Sequence, residues 1–164
     1  MDDIFKSVLV EAAGISADHP LAVVLAGRSE VMRLTQESHD AVLKPEPPGG
    51  LSHAERATLA CRMARLNDEE ILANHYEAIV PQNSELRAFT DPASRSSDDP
   101  RIQAILRQTD LVTMNPKHAT AGDILGLKSA GVLESDIVRL SELIAFVSYQ
   151  VRVIKGLRLL VETV

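Results

Sequence analysis

Apolar residues recur every three or four positions along nearly the whole chain, and no stretch alternates strictly with β-branched enrichment. That pattern predicts an all-α protein with no sheet. A first short helix is expected from Asp2 to Ala13, with Gly14 as the residue that closes it. Pro20 opens a second, where its missing N–H costs nothing in the first turn; Leu21, Val24, Leu25, Val31 and Met32 share one side, and the helix ends before Pro45. The segment KPEPPGG, residues 44 to 50, cannot be helical and reads as a stiff connector.

Ser52 and Glu55 have the spacing of a capping box ahead of a helix running to about Leu66. Asn67 and Asp68 break it, and a following helix from Glu69 to Val80 stops at Pro81. The polar, Pro-bounded run from 90 to 100 reads as a surface loop, after which Pro100 starts a helix to about Val112. Thr120 with Asp123 caps another, which stops at Ala130-Gly131.

The last helix, from Ser135 to Leu160, carries two apolar stripes. Ile137, Leu140, Ile144, Val147, Val151 and Ile154 form one, and Leu143, Phe146, Val153, Leu157 and Leu160 form the other. A helix apolar on two faces needs two bodies to bury against. Self-association is the expected second body, the alternative being a central helix wrapped on both sides by its own chain. The organisation expected is an N-terminal helical arm (residues 1–44), a Pro/Gly linker (45–50) and a helical core (51–164), within a single domain overall.

Composition then limits the function classes. The chain has 164 residues, 45% of them hydrophobic and 3% aromatic, which suits one domain with an aliphatic core. With 17 Lys plus Arg against 23 Asp plus Glu, a net charge of -6 and no basic tract, a nucleic-acid partner is not expected. The start MDDIFKSVLVEAAG is acidic where a signal peptide is basic, and the apolar run 21 to 26 is too short to span a membrane. A cytoplasmic protein with no membrane partner is the expectation.

The single cysteine excludes an intramolecular disulfide, a CxxC redox pair and a Cys-rich zinc site. His19, His39, His53, His75 and His118 show no HxxxH or ExxH pairing, so only assembly across helices could make a metal site, and none is expected. The glycines are scattered singly, with no phosphate-cradling loop, and no cofactor is expected.

Two stretches carry a resemblance. LSHAERATLACRMARLND (51–68), followed by EEILANH, and ATAGDILGLKSAGVLESDIVRLSELIAFVSYQVRVIKGL (from Ala119) resemble the carboxymuconolactone decarboxylase-like superfamily, in its AhpD-like, alkylhydroperoxidase (peroxidase-related) branch. The resemblance implies an all-helical fold that associates as dimers, trimers or hexamers. It also implies oxidoreductase-like chemistry at a CxxC near a helix start, with a His one turn later and a Glu upstream relaying protons. A helix N-terminus lowers a thiol pKa, and the Glu and His move protons as the thiolate attacks peroxide.

This sequence keeps the His, as His75, and loses the thiols. Counted back from His75, the cysteine positions fall at Asp68 and Ile71; counted forward from Leu66-Asn67, they fall at Glu69 and Leu72. The relay Glu falls at Ala57. Glu55 stands two residues early, about 200° round a helix, and cannot simply replace it. Around the middle of the last helix, Tyr149 and Arg152 keep the aromatic and the Arg of the family pattern without its Asn.

Cys61 lies mid-helix, away from any activating N-terminus, and reads as a buried, inert thiol. Glu55 reads first as the capping partner of Ser52, and Asp68, Glu69 and Glu70 as first-turn acids. Arg56, Arg62 and Arg152 could bind a ligand carboxylate, with salt-bridged or solvated arginines as the default. His75 is the leading catalytic candidate, with Glu55 second. The resulting expectation is an AhpD-like oligomer whose dithiol chemistry is lost. The alternatives are a cofactor-free acid/base enzyme with His75 as proton shuttle and Glu55 or Glu69 as its carboxylate, and a noncatalytic subunit paired with an active paralogue.

Overall fold

The computed structural model describes residues 4–163, and among these the chain is all-helical, with no strand. The expected start of the first helix at Asp2 lies outside the described residues. A 3-10 turn at Ile4–Lys6 precedes α1 (Val8–Ala13), and Gly14 closes α1 at φ 77, in the left-handed region. The single helix expected after Pro20 is two: α2 (Ala22–Ala26) and α3 (Ser29–Leu43). Gly27 and Arg28 interrupt the ladder between them. Glycine mid-helix is entropically costly, and the break redirects the chain so that α3 can lie along the core.

α4 (His53–Leu66) begins at the expected capping box: Ser52 accepts from the Glu55 backbone N–H, and the Glu55 side chain accepts from the Ser52 N–H. Asp68 turns the chain at φ 59, and α5 (Glu70–Ile79) follows. A 3-10 segment at Glu85–Thr90 leads into the polar loop, and Asp99 caps α6 (Pro100–Met114). Thr120 and Asp123 form the second capping box, at the head of α7 (Ala121–Ser129), and the chain ends in α8 (Glu134–Val161).

The centre of the molecule is α4. Every residue from Arg56 to Ala64 is buried, and α3, α5, α6, α8 and the 85–90 segment all pack on it. Ala57, Ala60, Cys61 and Ala64 are small enough to let neighbouring helices approach closely, which is how a helix of modest hydropathy comes to lie inside. The stripe Ile137, Leu140, Ile144, Val147, Val151 and Ile154 of α8 is buried throughout.

Its second stripe is mostly covered by the chain itself. Leu143 is buried, Val153 and Leu157 pack partly buried against the core, Phe146 is half-buried, and only Leu160 stands exposed. The wrapped-helix alternative therefore describes most of α8, because α1 and α3 occupy the face that would otherwise have needed a partner.

The residues expected to form an arm belong to the same hydrophobic cluster as the rest: Val8, Leu9, Val10, Leu25, Met32 and Leu43 join it from the N-terminal side. The 45–50 segment is pinned against α8. Gly50 N–H donates to Asp136 Oδ1 (2.9 Å), and a Cβ at Gly50 would lie 2.2 Å from Asp136 Oδ2. Any side chain at this position would have to displace the carboxylate that holds the segment. No helix among the described residues is long and apolar enough to cross a membrane.

Candidate functional site

α5 presents His75 half-buried toward α3, where it meets His39. The two Nε2 atoms are 3.3 Å apart and the ring centroids 5.3 Å. His39 is buried, and its Nδ1 lies 2.9 Å from Asp40 Oδ1. Asp40 Oδ1 only accepts, whereas the Gln36 amide nitrogen, 3.3 Å from the same Nδ1, only donates; with Nδ1 protonated toward Asp40, Nε2 faces His75 as an acceptor. His75 then donates through its own Nε2–H. The order is Asp40, His39, His75.

The orientation of this row is built from further contacts. The Gln36 side-chain amide donates to Asp40 Oδ1 (3.1 Å), and its carbonyl oxygen accepts from Val8 N–H (3.1 Å), which fixes the direction of the amide. Tyr76, one residue beyond His75 and fully buried, stacks on His39 at 5.8 Å and 16°. The Tyr76 hydroxyl donates to Gln150 Oε1 on α8, and burial raises its pKa well above the usual tyrosine value. Phe146 closes the far side of His39 at 6.3 Å.

The imidazole of His75 is held at a low pKa, about 4. Burial is the largest cause; the neighbouring His39 and Lys44 lower it further, and Asp40 works the other way. Two shallow clefts lie along α3, neither with His39 or His75 in its lining. One, of about 300 Å³, is lined by Ser7, Met32, Gln36 and Glu37 among others; the other, of about 310 Å³, by Leu34, Thr35, Phe146 and Tyr149 among others.

The remaining candidates are placed elsewhere. Glu55 keeps its capping-box role and pairs with Arg101, and among the described residues no hydrogen bond joins it to His75. Glu69 is buried and ion-paired with Arg158 at 2.8 Å, so it too serves another partner. At the positions where the resemblance would place thiols, Asp68 and Ile71 are exposed and Leu72 is core. Cys61 is buried in mid-α4, and burial pushes its thiol up to about 11.

Arg56 and Arg62 are buried and committed to protein oxygens, the first to three backbone carbonyls and the second to Asp110 and a loop. Arg152 is exposed and bonds the Ser148 carbonyl of its own turn, while the Tyr149 hydroxyl lies 3.1 Å from Thr35 Oγ1. Sequence reasoning singled out His75 and did not pair it with His39 or Asp40. His39 and Asp40 lie 36 and 35 residues away in a different helix, and the only local trace of the site is the Gln36, His39, Asp40 spacing on one side of α3.

No protein-family model matches this sequence, and comparison with curated proteins and with solved structures finds no match.

Proposed function

We propose that this chain is an AhpD-like, carboxymuconolactone decarboxylase-like helical protein that has lost dithiol peroxidase chemistry and transfers protons at His75 instead. The observation that carries the reading is the hydrogen-bonded row Asp40, His39, His75. With the His39 proton on Nδ1 toward Asp40, the unprotonated Nε2 of His39 accepts from His75, an arrangement suited to a base that takes a proton from a substrate and returns it. The thiol side of the reading rests on Cys61, which is buried, far from a helix N-terminus and held as a thiol. The carboxylate of the site is then Asp40 rather than Glu55 or Glu69. A homo-oligomer fits the exposed Val23, Val24, Val31 and Leu34 of α2 and α3, which leave apolar surface for a second copy.

One experiment tests both halves. Peroxide consumption with a dithiol reductant is expected to stay at the buffer rate, and a panel of activated carbon acids is expected to show proton exchange or decarboxylation that falls about 100- to 10,000-fold in His75→Gln. Peroxide turnover abolished by Cys61→Ser would overturn the loss of thiol chemistry. Carbon-acid turnover unchanged in His75→Gln would overturn the proton-transfer role.

A further inference from the structure

We propose that the His39–His75 pair is also a seat for a single imidazole-preferring divalent transition-metal ion, of the Zn²⁺ or Cu²⁺ class, assembled across α3 and α5. The separation of the two Nε2 atoms is 3.3 Å. Two imidazole nitrogens bound to one tetrahedral zinc at about 2.0–2.1 Å stand about 3.3 Å from each other, so the spacing of the two Nε2 atoms already matches that of a shared ion.

The supporting groups match what a metal-bound histidine requires. With its proton on Nδ1, His39 donates to the Asp40 carboxylate at 2.9 Å, the carboxylate–histidine arrangement that fixes ring direction and leaves the Nε2 lone pair for an ion. Asp40 is held in turn by the Gln36 amide, and Gln36 by Val8 N–H. The stacking of Tyr76 and the edge of Phe146 prevent His39 from rotating away. The buried ring is thus locked in the donor orientation before any ion arrives, which keeps the ordering cost of binding small.

The chemistry of loading is simple. The hydrogen bond between the imidazoles breaks, the His75 proton moves from Nε2 to Nδ1 through solvent, and two neutral nitrogens face the ion with no net proton released. No group of three or more His, Cys, Asp or Glu converges among the described residues, so the other coordination positions go to water or a small ligand and the site is an open one. The donor set selects by type. Neutral imidazoles favour copper and zinc over manganese, and leave hard Mg²⁺ and Ca²⁺ to oxygen ligands. An ion in this seat uses the same Nε2 atoms that share the proton, so the metal-bound and proton-transferring forms exclude each other.

The test is calorimetric titration of the full chain with Zn²⁺ and with Cu²⁺ at neutral pH, with thermal melting alongside. It needs no substrate, so its outcome is separate from that of the proton-transfer reading. Saturable binding of one ion per chain, a zinc-induced rise in melting temperature and no response to Mg²⁺ are expected. His75→Gln, a half-buried position whose folding is checked by circular dichroism, is expected to abolish both signals. Asp40→Asn, whose side chain is mostly exposed, is expected to weaken binding about 10- to 100-fold while leaving the metal-free melting temperature near wild type. The same isotherm in His75→Gln, no saturable binding, or an end point at half an ion per chain would each overturn the single-chain site.

Discussion

Arg62→Met is expected to lower the free energy of unfolding by about 3–5 kcal/mol, the range for removing one partner of a buried ion pair. The side chain has no solvent exposure, yet all of its donors are engaged. Nε and Nη2 grip Asp110 Oδ1 and Oδ2 at 2.5 and 2.7 Å; Nη1 reaches the carbonyls of Phe89, Asp91 and Ser94, and Nη2 that of Pro92. Methionine fills the volume and supplies none of these bonds. Asp110 is partly exposed at 28% and can recover some hydration, which places the loss toward the lower end of the range.

Against a total of about 5–15 kcal/mol for a domain, the variant is marginal. Urea unfolding with the slope held in common measures the loss, and a shift under about 1 kcal/mol would show that the fan of carbonyls is adequately hydrated without the guanidinium. Arg62→Lys is expected to fall between the two, since a point charge can keep Asp110 but cannot span four carbonyls and a carboxylate at once.

Arg62 also illustrates which parts of the fold were open to reading. Local signals were reliable wherever the physics is local. Both capping boxes, the left-handed Gly14 and the turn at Asn67-Asp68 follow from residues within one turn of each other. The break at Gly27 was missed because the apolar spacing carries on past it, and one glycine is tolerated in many helices.

Burial was harder to read. α4 carries three arginines and a weakly apolar face, so its pattern suggests a surface helix, whereas it is the most buried element, its inner arginines satisfied by oxygens 5 to 48 residues away. The two stripes of α8 were legible as stripes, but what covers the second depends on α1 and α3, elements whose positions are set by long-range packing. The site divides in the same way. His75 was singled out by the resemblance and Glu55 by standing two residues from the relay-Glu position it implies, while Asp40 and His39 meet His75 only through the tertiary arrangement.

Arg56→Met is expected to cost about 3 kcal/mol and, more tellingly, to release the Pro/Gly segment locally. Arg56 is buried, and among the described residues no carboxylate lies at bonding distance from it. Burial lowers its pKa, Arg139 adds to that, and Asp136, Glu142 and Glu55 oppose it from further off. What holds the charge is three backbone carbonyls: Leu51 (2.9 Å), Val42 (3.0 Å) and Pro48 (3.0 Å). These belong to the end of α3, the connector and the approach to α4, so one side chain ties the three segments that a free linker would leave independent.

Losing it leaves buried acceptors unpaired at about 1–3 kcal/mol each, and those in the connector can recover water only by moving outward. The connector has other anchors: Gly50 N–H to Asp136, His53 Nε2 to the Pro45 carbonyl at 3.0 Å, and Arg101 to the Gly50 carbonyl. Hydrogen exchange distinguishes the contributions. If Arg56 is the clasp, the Gly50 amide exchanges faster in the variant relative to amides of mid-α8, because outward movement of the connector breaks its bond to Asp136. Unchanged protection at Gly50 would assign the clasp to the remaining three contacts and leave Arg56 as a bond to the end of α3.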